Sequence, residues 1–184
     1  MLSKLAQEVS DAIVAVVQGT DDVVSSLRSA VKNQVTGALK DVGDVTTAAM
    51  DTASDVVQGG ISAASKAGAS IVDATKATVT SVIDGISEAG GDVLSGIRGA
   101  AKGAVAGASE VGEDVAQTAV SAVEGAIDAA GSVGVSTTDA AKEAAMGVIK
   151  GADELGEEVG KNVKDALLAA ASLPRDVIEK VVKG

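Results

Sequence analysis

Asp153, Glu154, Glu157 and Glu158 form the densest cluster of groups in this chain that could do chemistry. Carboxylates are the ligand type of a hard cation such as Ca²⁺. On a helix, however, they lack the looped, converging geometry that a calcium site needs, and a solvated face accounts for them. Gly99-Ala100-Ala101-Lys102-Gly103 has the composition of a phosphate-binding loop. No strand pattern precedes it and no Gly-Lys-Ser/Thr ending follows, so the cradle and its metal ligand are missing. Ser and Thr are plentiful, but the chain holds no His to serve as their base and no Cys. Imidazole, thiolate, disulfide and zinc chemistry are excluded together. The expectation is a non-enzymatic protein with no catalytic, cofactor-binding or metal-binding residue.

Charge narrows the partners. The net charge is −11 over 184 residues, with acids and bases intermixed and no aromatic residue at all. Nucleic acid is disfavoured as a partner, because neither a basic patch nor a stacking platform exists. Anionic lipid headgroups are likewise disfavoured overall. Glu8 and Asp11 interrupt the start before any apolar segment of a signal peptide can form. No uncharged run much exceeds about 10 residues, well short of a membrane span. A soluble, cytoplasmic placement is the simplest expectation, with peripheral membrane association left open. Without cysteine the redox compartment is not readable.

The elements that would position any site are written in the spacing. From Lys76 to Val163 the chain reads as four blocks of 22 residues, starting at Lys76, Arg98, Val120 and Lys142, and each block is two copies of an 11-residue unit. Gly68, Gly90, Gly112, Gly134 and Gly156 recur at 22, as do Gly59, Gly103, Gly125 and Gly147 with Ser81 filling the one gap. Stepping by 11 from Leu5 meets an almost wholly apolar series that ends at Val181, with Thr137 its one polar member. Eleven residues make three helical turns at about 3.67 residues per turn. The apolar positions then form an arc roughly 130° wide, broader than the seam of a two-stranded coil. This predicts an all-α fold: a long 11-/22-residue-repeat helix in a right-handed or straight multi-helix coiled coil, either bundle or barrel. Val16, Leu27, Ile71, Val82, Ile83, Val93, Leu94, Val115, Ile127, Val148, Ile149 and Val159 make up its expected self-association face.

Glycine decides how such a helix would be supported. Each glycine inside a helix costs about 1 kcal/mol relative to alanine, so the 22 present would cost an isolated rod roughly 20 kcal/mol. Close approach of neighbouring backbones compensates for this, which assigns Gly68, Gly90, Gly112, Gly134 and Gly156 as close-packing positions. The competing assignment makes them turns, since Gly90-Gly91-Asp92 resembles a helix stop followed by an N-cap. A 22-residue unit is then one short helix plus a turn, stacked as a solenoid. The unbroken 11-residue phase favours a continuous or once-kinked helix over 1–173, continuing through Asp21 and Asp22, with a break admitted at 131–139. Pro174 divides it from a short amphipathic tail, 174–184, striped by Val177, Ile178, Val181 and Val182.

Over nearly its whole length this phase resembles hendecad coiled coils. Val56-Val57-Gln58-Gly59-Gly60-Ile61-Ser62-Ala63-Ala64-Ser65-Lys66 is also similar to the 11-mer helices of synucleins and perilipins, a resemblance that implies a helix lying on lipid. The departure is in charge: those helices flank their apolar face with lysines, and this chain is acidic. Two functions follow as expectations. The first is a structural scaffold that self-associates as a homo-oligomer through an Ala/Gly/Val face, with a lipophilic tube as a variant. The second is a peripheral lipid-binding amphipathic protein.

Overall fold

The computed structural model describes residues 3–17, 22–41 and 45–184. Among these the chain forms nine helices: α1 (Lys4–Val17), α2 (Val23–Lys40), α3 (Val45–Lys66), α4 (Ile71–Glu88), α5 (Val93–Glu110), α6 (Val115–Val133), α7 (Thr137–Leu155), α8 (Glu157–Ala169) and α9 (Arg175–Lys183). The continuous helix over 1–173 is therefore corrected to a series of short ones. The break at 131–139 is one corner among several of the same build. Asp22 caps α2, and its side chain accepts a hydrogen bond from the Ser25 amide. The rest of the expected passage from α1 into α2, residues 18–21, lies outside the described residues.

The corners explain the correction. Gly68, Gly90, Gly112 and Gly134 have φ of 70°, 74°, 76° and 76°, the left-handed region, and Gly156 has φ of 145°. A Cβ added at any of the five would meet nothing within 4 Å. They are helix stops and not close contacts, which corrects their assignment as packing glycines. At the first three, the glycine amide donates to the carbonyl of Ser65, Ser87 or Ser109, and the following amide donates to that of Ala64, Ile86 or Ala108. This double closure satisfies carbonyls that a helix end would otherwise orphan. Two residues after each of the first four glycines stands the next N-cap. Ser70, Asp92, Asp114 and Ser136 accept from the amides of Asp73, Ser95, Gln117 and Asp139. Each corner thus reads Gly-x-Ser/Asp. Gly156 departs from the pattern: no side-chain cap starts α8.

The 11-residue phase survives these corners for an arithmetic reason. α4 and α5 are 18 residues each, about five turns. Adding a four-residue corner uses as many residues as six continuous turns, so the apolar register re-enters every helix in the same phase. Periodicity alone cannot see the corner.

Packing follows a simple rule: each helix lies against its successor and against the helix after that. Odd helices α1, α3, α5, α7 and α9 make one layer, and even helices α2, α4, α6 and α8 make the other. The core lies between the layers and is filled by aliphatic side chains and many alanines, among them Leu27, Val31, Val35, Leu39, Val57, Ile61, Val82, Ile83, Ile97, Val105, Val123 and Val148, all 0% exposed. Burying each larger side chain is worth about 1.5–3 kcal/mol, and spacing by whole turns is what brings all of them to the same side.

Because the space around Gly112 is open, replacing it tests backbone conformation alone. Gly112→Ala is expected to lower stability by about 1 kcal/mol, and Gly112→Asn by less, since Asn tolerates the left-handed region. Urea denaturation of the two variants beside the parent measures the difference. Equal stability of all three would mean that the corner is not built as described.

Candidate functional site: open faces of the helix layers

The residues that suggested chemistry are used structurally. Asp153 pairs with Lys164 at 3.0 Å and Glu154 with Lys102 at 2.8 Å, while Glu157 and Glu158 occupy the first turn of α8. Among the described residues, no group of three or more His, Cys, Asp or Glu could hold a metal ion. Gly99 to Gly103 is not a loop but the middle of α5.

What that glycine segment does is admit a neighbouring backbone. A Cβ on Gly99 would fall on the Met50 carbonyl, one on Gly103 on the Ser54 carbonyl, and one on Gly107 within 3.3 Å of the Gln58 Cα. Three glycines one turn apart on α5 thus bed three turns of α3. The same contact recurs down the array. Gly59 of α3 meets Ala6 of α1, Gly125 of α6 meets the Cα and carbonyl of Lys76 of α4 at 3.2 Å, and Gly147 of α7 meets the Arg98 carbonyl of α5. In each pair the glycine belongs to the later helix and faces the helix two before it. Backbones so close gain dispersion contacts that a side chain would prevent.

Where α4 lies on α2, α6 on α4 and α7 on α5, a cation of the earlier helix reaches to an acid of the later one. Lys32 pairs with Glu88 at 2.6 Å, Lys76 with Glu124 at 3.0 Å, and Arg98 and Lys102 with Glu143 and Glu154. The Glu88 carboxylate holds Lys32 above the ordinary lysine value, and Glu124 does the same for Lys76. The Ser172 hydroxyl, joined by Lys76, holds Glu124 below the ordinary carboxyl value. Burial pushes Asp84 upward. These partly exposed pairs fix register between helices more than they add stability.

The expected self-association face is largely covered by the chain itself. Leu27, Ile71, Val82, Ile83 and Val148 are buried. Val93, Leu94, Val115, Ile127, Ile149 and Val159 are half-buried against the same core. Val16 stands apart at 55% exposed. Ser70 and Asp114 were not singled out as N-caps in the way Asp92 was, although their signal, Ser or Asp two residues after each of the first four glycines of the 22-spaced series, is present in the chain.

Two faces remain open at the ends of the described array. On α2, Gly37 belongs to the same 22-spaced series as Gly59, Gly103, Gly125 and Gly147, yet nothing lies within 4 Å of its Cβ position. On α1, exposed Val16 is the repeat equivalent of buried Val148. At the other end α9 lies over α7 and leaves a groove of about 470 Å³, lined by Thr138, Asp139, Lys142, Met146, Val177, Lys180, Val181 and Gly184. No described helix is long and apolar enough to cross a membrane.

No family model matches the sequence, and no curated protein matches it. Among solved structures, the crystal structure of the de novo designed helical repeat protein DHR7 aligns with a TM-score of 0.54 over 97% of this chain and 93% of that one, at 16% identity. At that identity the likeness concerns the fold: this chain is an all-helical repeat protein.

Opposite signs are expected for two glycine substitutions. Gly103→Ala forces α5 off the Ser54 carbonyl and costs about 1–3 kcal/mol. Gly37→Ala adds a methyl in open space within an exposed helix and raises stability by about 0.4–1 kcal/mol. Thermal melts at low protein concentration read both, and a matching sign would contradict the distinction between covered and open glycines. Acid sensitivity supplies another check. The lowered folded pKa of Glu124 contributes stability that is present above its unfolded value and lost as pH falls through the folded one. A deficit of Glu124→Gln at neutral pH should therefore close on acidification. A deficit unchanged at pH 3 would place its cause elsewhere than in the charge.

Proposed function

We propose that this chain is a non-enzymatic scaffold that associates with further copies of itself through the open face of α1 and α2. The single observation that carries this is the contrast within one repeat series. Gly125 lies 3.2 Å from the backbone of Lys76, while Gly37, its equivalent in α2, faces open space. Val16 is 55% exposed where its equivalent Val148 is 0%. On α2 the glycine that receives a neighbouring backbone in α6 is open, and Asn33 and Asp41 flank it where α6 carries Ser121 and Ala129. Repeat arrays bury their surfaces by nearest-neighbour stacking, and an open position of this kind at the end of the array is where a further copy can stack.

Self-association here uses whole helix layers and not a long coiled coil, since the aliphatic arc that a coil would share between chains is already turned inward. The twelve face residues divide accordingly: eleven support the single array, and Val16 is left for contact with another molecule.

Sedimentation equilibrium over a wide concentration range tests this. Reversible association is expected for the parent, with Gly37→Leu and Val16→Asp each weakening it about tenfold or more. A parent that remains monomeric at every concentration, in buffer without lipid, would reject the proposal.

A further inference from the structure

Resting on that reading, we infer that the outer face of α7 and α8 receives α1 and α2 of a second copy, stacked head to tail, and that α9 is the helix that has to leave for this to happen. The repeat itself supplies the geometry. If a second copy continues the array after eight units of 22 residues, its Ala15 stands to Lys142 as Gly147 stands to Arg98, and its Gly37 stands to Lys164 as Gly125 stands to Lys76. The α8 layer copies the interior contact directly, glycine of the later helix on the backbone of the earlier one. In the α7 layer Ala15 carries a Cβ where Gly147 has none, so the copy's α1 sits farther from α7 than α7 sits from α5.

α9 occupies the position that the copy's α1 would take. In the same register Val181 coincides with Leu5 and Val182 with Ala6 of the incoming copy. α9 is nevertheless a poor substitute for a repeat helix. It has nine residues and no glycine, so it rides off α7 and leaves the groove of about 470 Å³ over Lys142 and Met146. Its ion pairs close within itself, Arg175 and Lys183 both on Glu179. It is joined to α8 through Ser172-Leu173-Pro174, beyond the end of α8 at Ala169. One anchor, Ile178, is buried at 1%.

Charge supports the match at one point of the α7 layer. Arg98, the interior equivalent of Lys142, pairs with Glu143 of the helix two ahead. Lys142 makes no ion pair among the described residues, and α9 brings no acid to it. In the stacked copy the equivalent of Glu143 is Asp11, a side chain 67% exposed that is held by Lys66 at 3.6 Å. Such a contact is heterologous and does not close on itself, so it builds linear assemblies.

Disulfide trapping in the full chain tests the placement, because the chain holds no cysteine of its own. A Cβ on Gly147 would lie 3.0 Å from the Ala101 Cβ, close to disulfide range, and Ala15 and Ala145 are the equivalent pair between copies. Mixing an Ala15→Cys chain with an Ala145→Cys chain should give the mixed disulfide in preference to either homodimer. Adding Ile178→Asp and Val181→Asp to the second chain, with helicity checked by circular dichroism, should raise its yield about tenfold, because a face freed of its competitor is more often available. Independently, Lys142→Asp should weaken association about tenfold, and Asp11→Lys in the mixing chain should restore it. Ala15→Cys homodimers in excess, or a mixed yield indifferent to the α9 substitutions, would overturn this inference while leaving self-association intact. No cross-link of any kind, with monomeric sedimentation of the parent and the α9 variant, would overturn both.

Discussion

The approach of helix backbones two elements apart is the constraint on which the rest of this molecule depends. Gly99, Gly103 and Gly107 lie against consecutive turns of α3, and Gly147 lies against α5. With no Phe, Tyr or Trp in the chain, no ring is available to fill the space that wider spacing would open. Small residues therefore do two jobs. They bring the helices of each layer together, and they leave the layers thin enough for Val, Ile and Leu to meet in the middle. Lys32, Lys76, Arg98 and Lys102 reach across to the neighbouring helix and set its register, a use of long side chains that depends on the same closeness.

The all-helical character and the 22-residue unit could be read from spacing. The corners could not be chosen by the same means, because a helix of five turns plus a four-residue corner consumes the residues of six turns. Gly90-Gly91-Asp92 held the answer locally: a stop followed by a cap outweighs an unbroken phase, since phase is indifferent to whether the chain turns. The series of Gly68 was taken for packing glycines for a related reason. Gly68 and Gly103 recur at the same interval, and only the residues that follow differ. Ser70 after Gly68 is cap-competent, while Val105 after Gly103 continues a helix. The site was legible as an apolar face but not as an end, because being left open is a property of place in the array. Gly37 and Gly125 are alike in sequence and differ only in what lies beside them.

The all-helical repeat architecture also explains why an acidic chain with glycine-rich helices can hold together. Helix propensity argues against α5, which carries four glycines over Val93–Glu110, yet α5 lies between α3 and α7 and is supported on both sides. Stability in such an array is a sum of neighbour interfaces more than of intrinsic helicity. The weakest members are then those at the margins, and α9, nine residues long, is held by side-chain contacts to α7 and α8.

The array is not uniformly spaced, and the irregularity is informative. Gly59 meets Ala6 and Gly85 meets Val35 and the Lys32 carbonyl, whereas the spacing used by Gly103, Gly125 and Gly147 would have brought Ser10 and Thr36 to those places. α3, at 22 residues, is about one turn longer than α4 and α5. The first helix pair has thus slid by a turn along the second without loss of its bed, because small residues recur at every turn of the groove. A chain of this kind can absorb insertions and deletions in quanta of a helical turn. Its length is free to drift over generations in steps that would unseat a core built of large, uniquely shaped side chains.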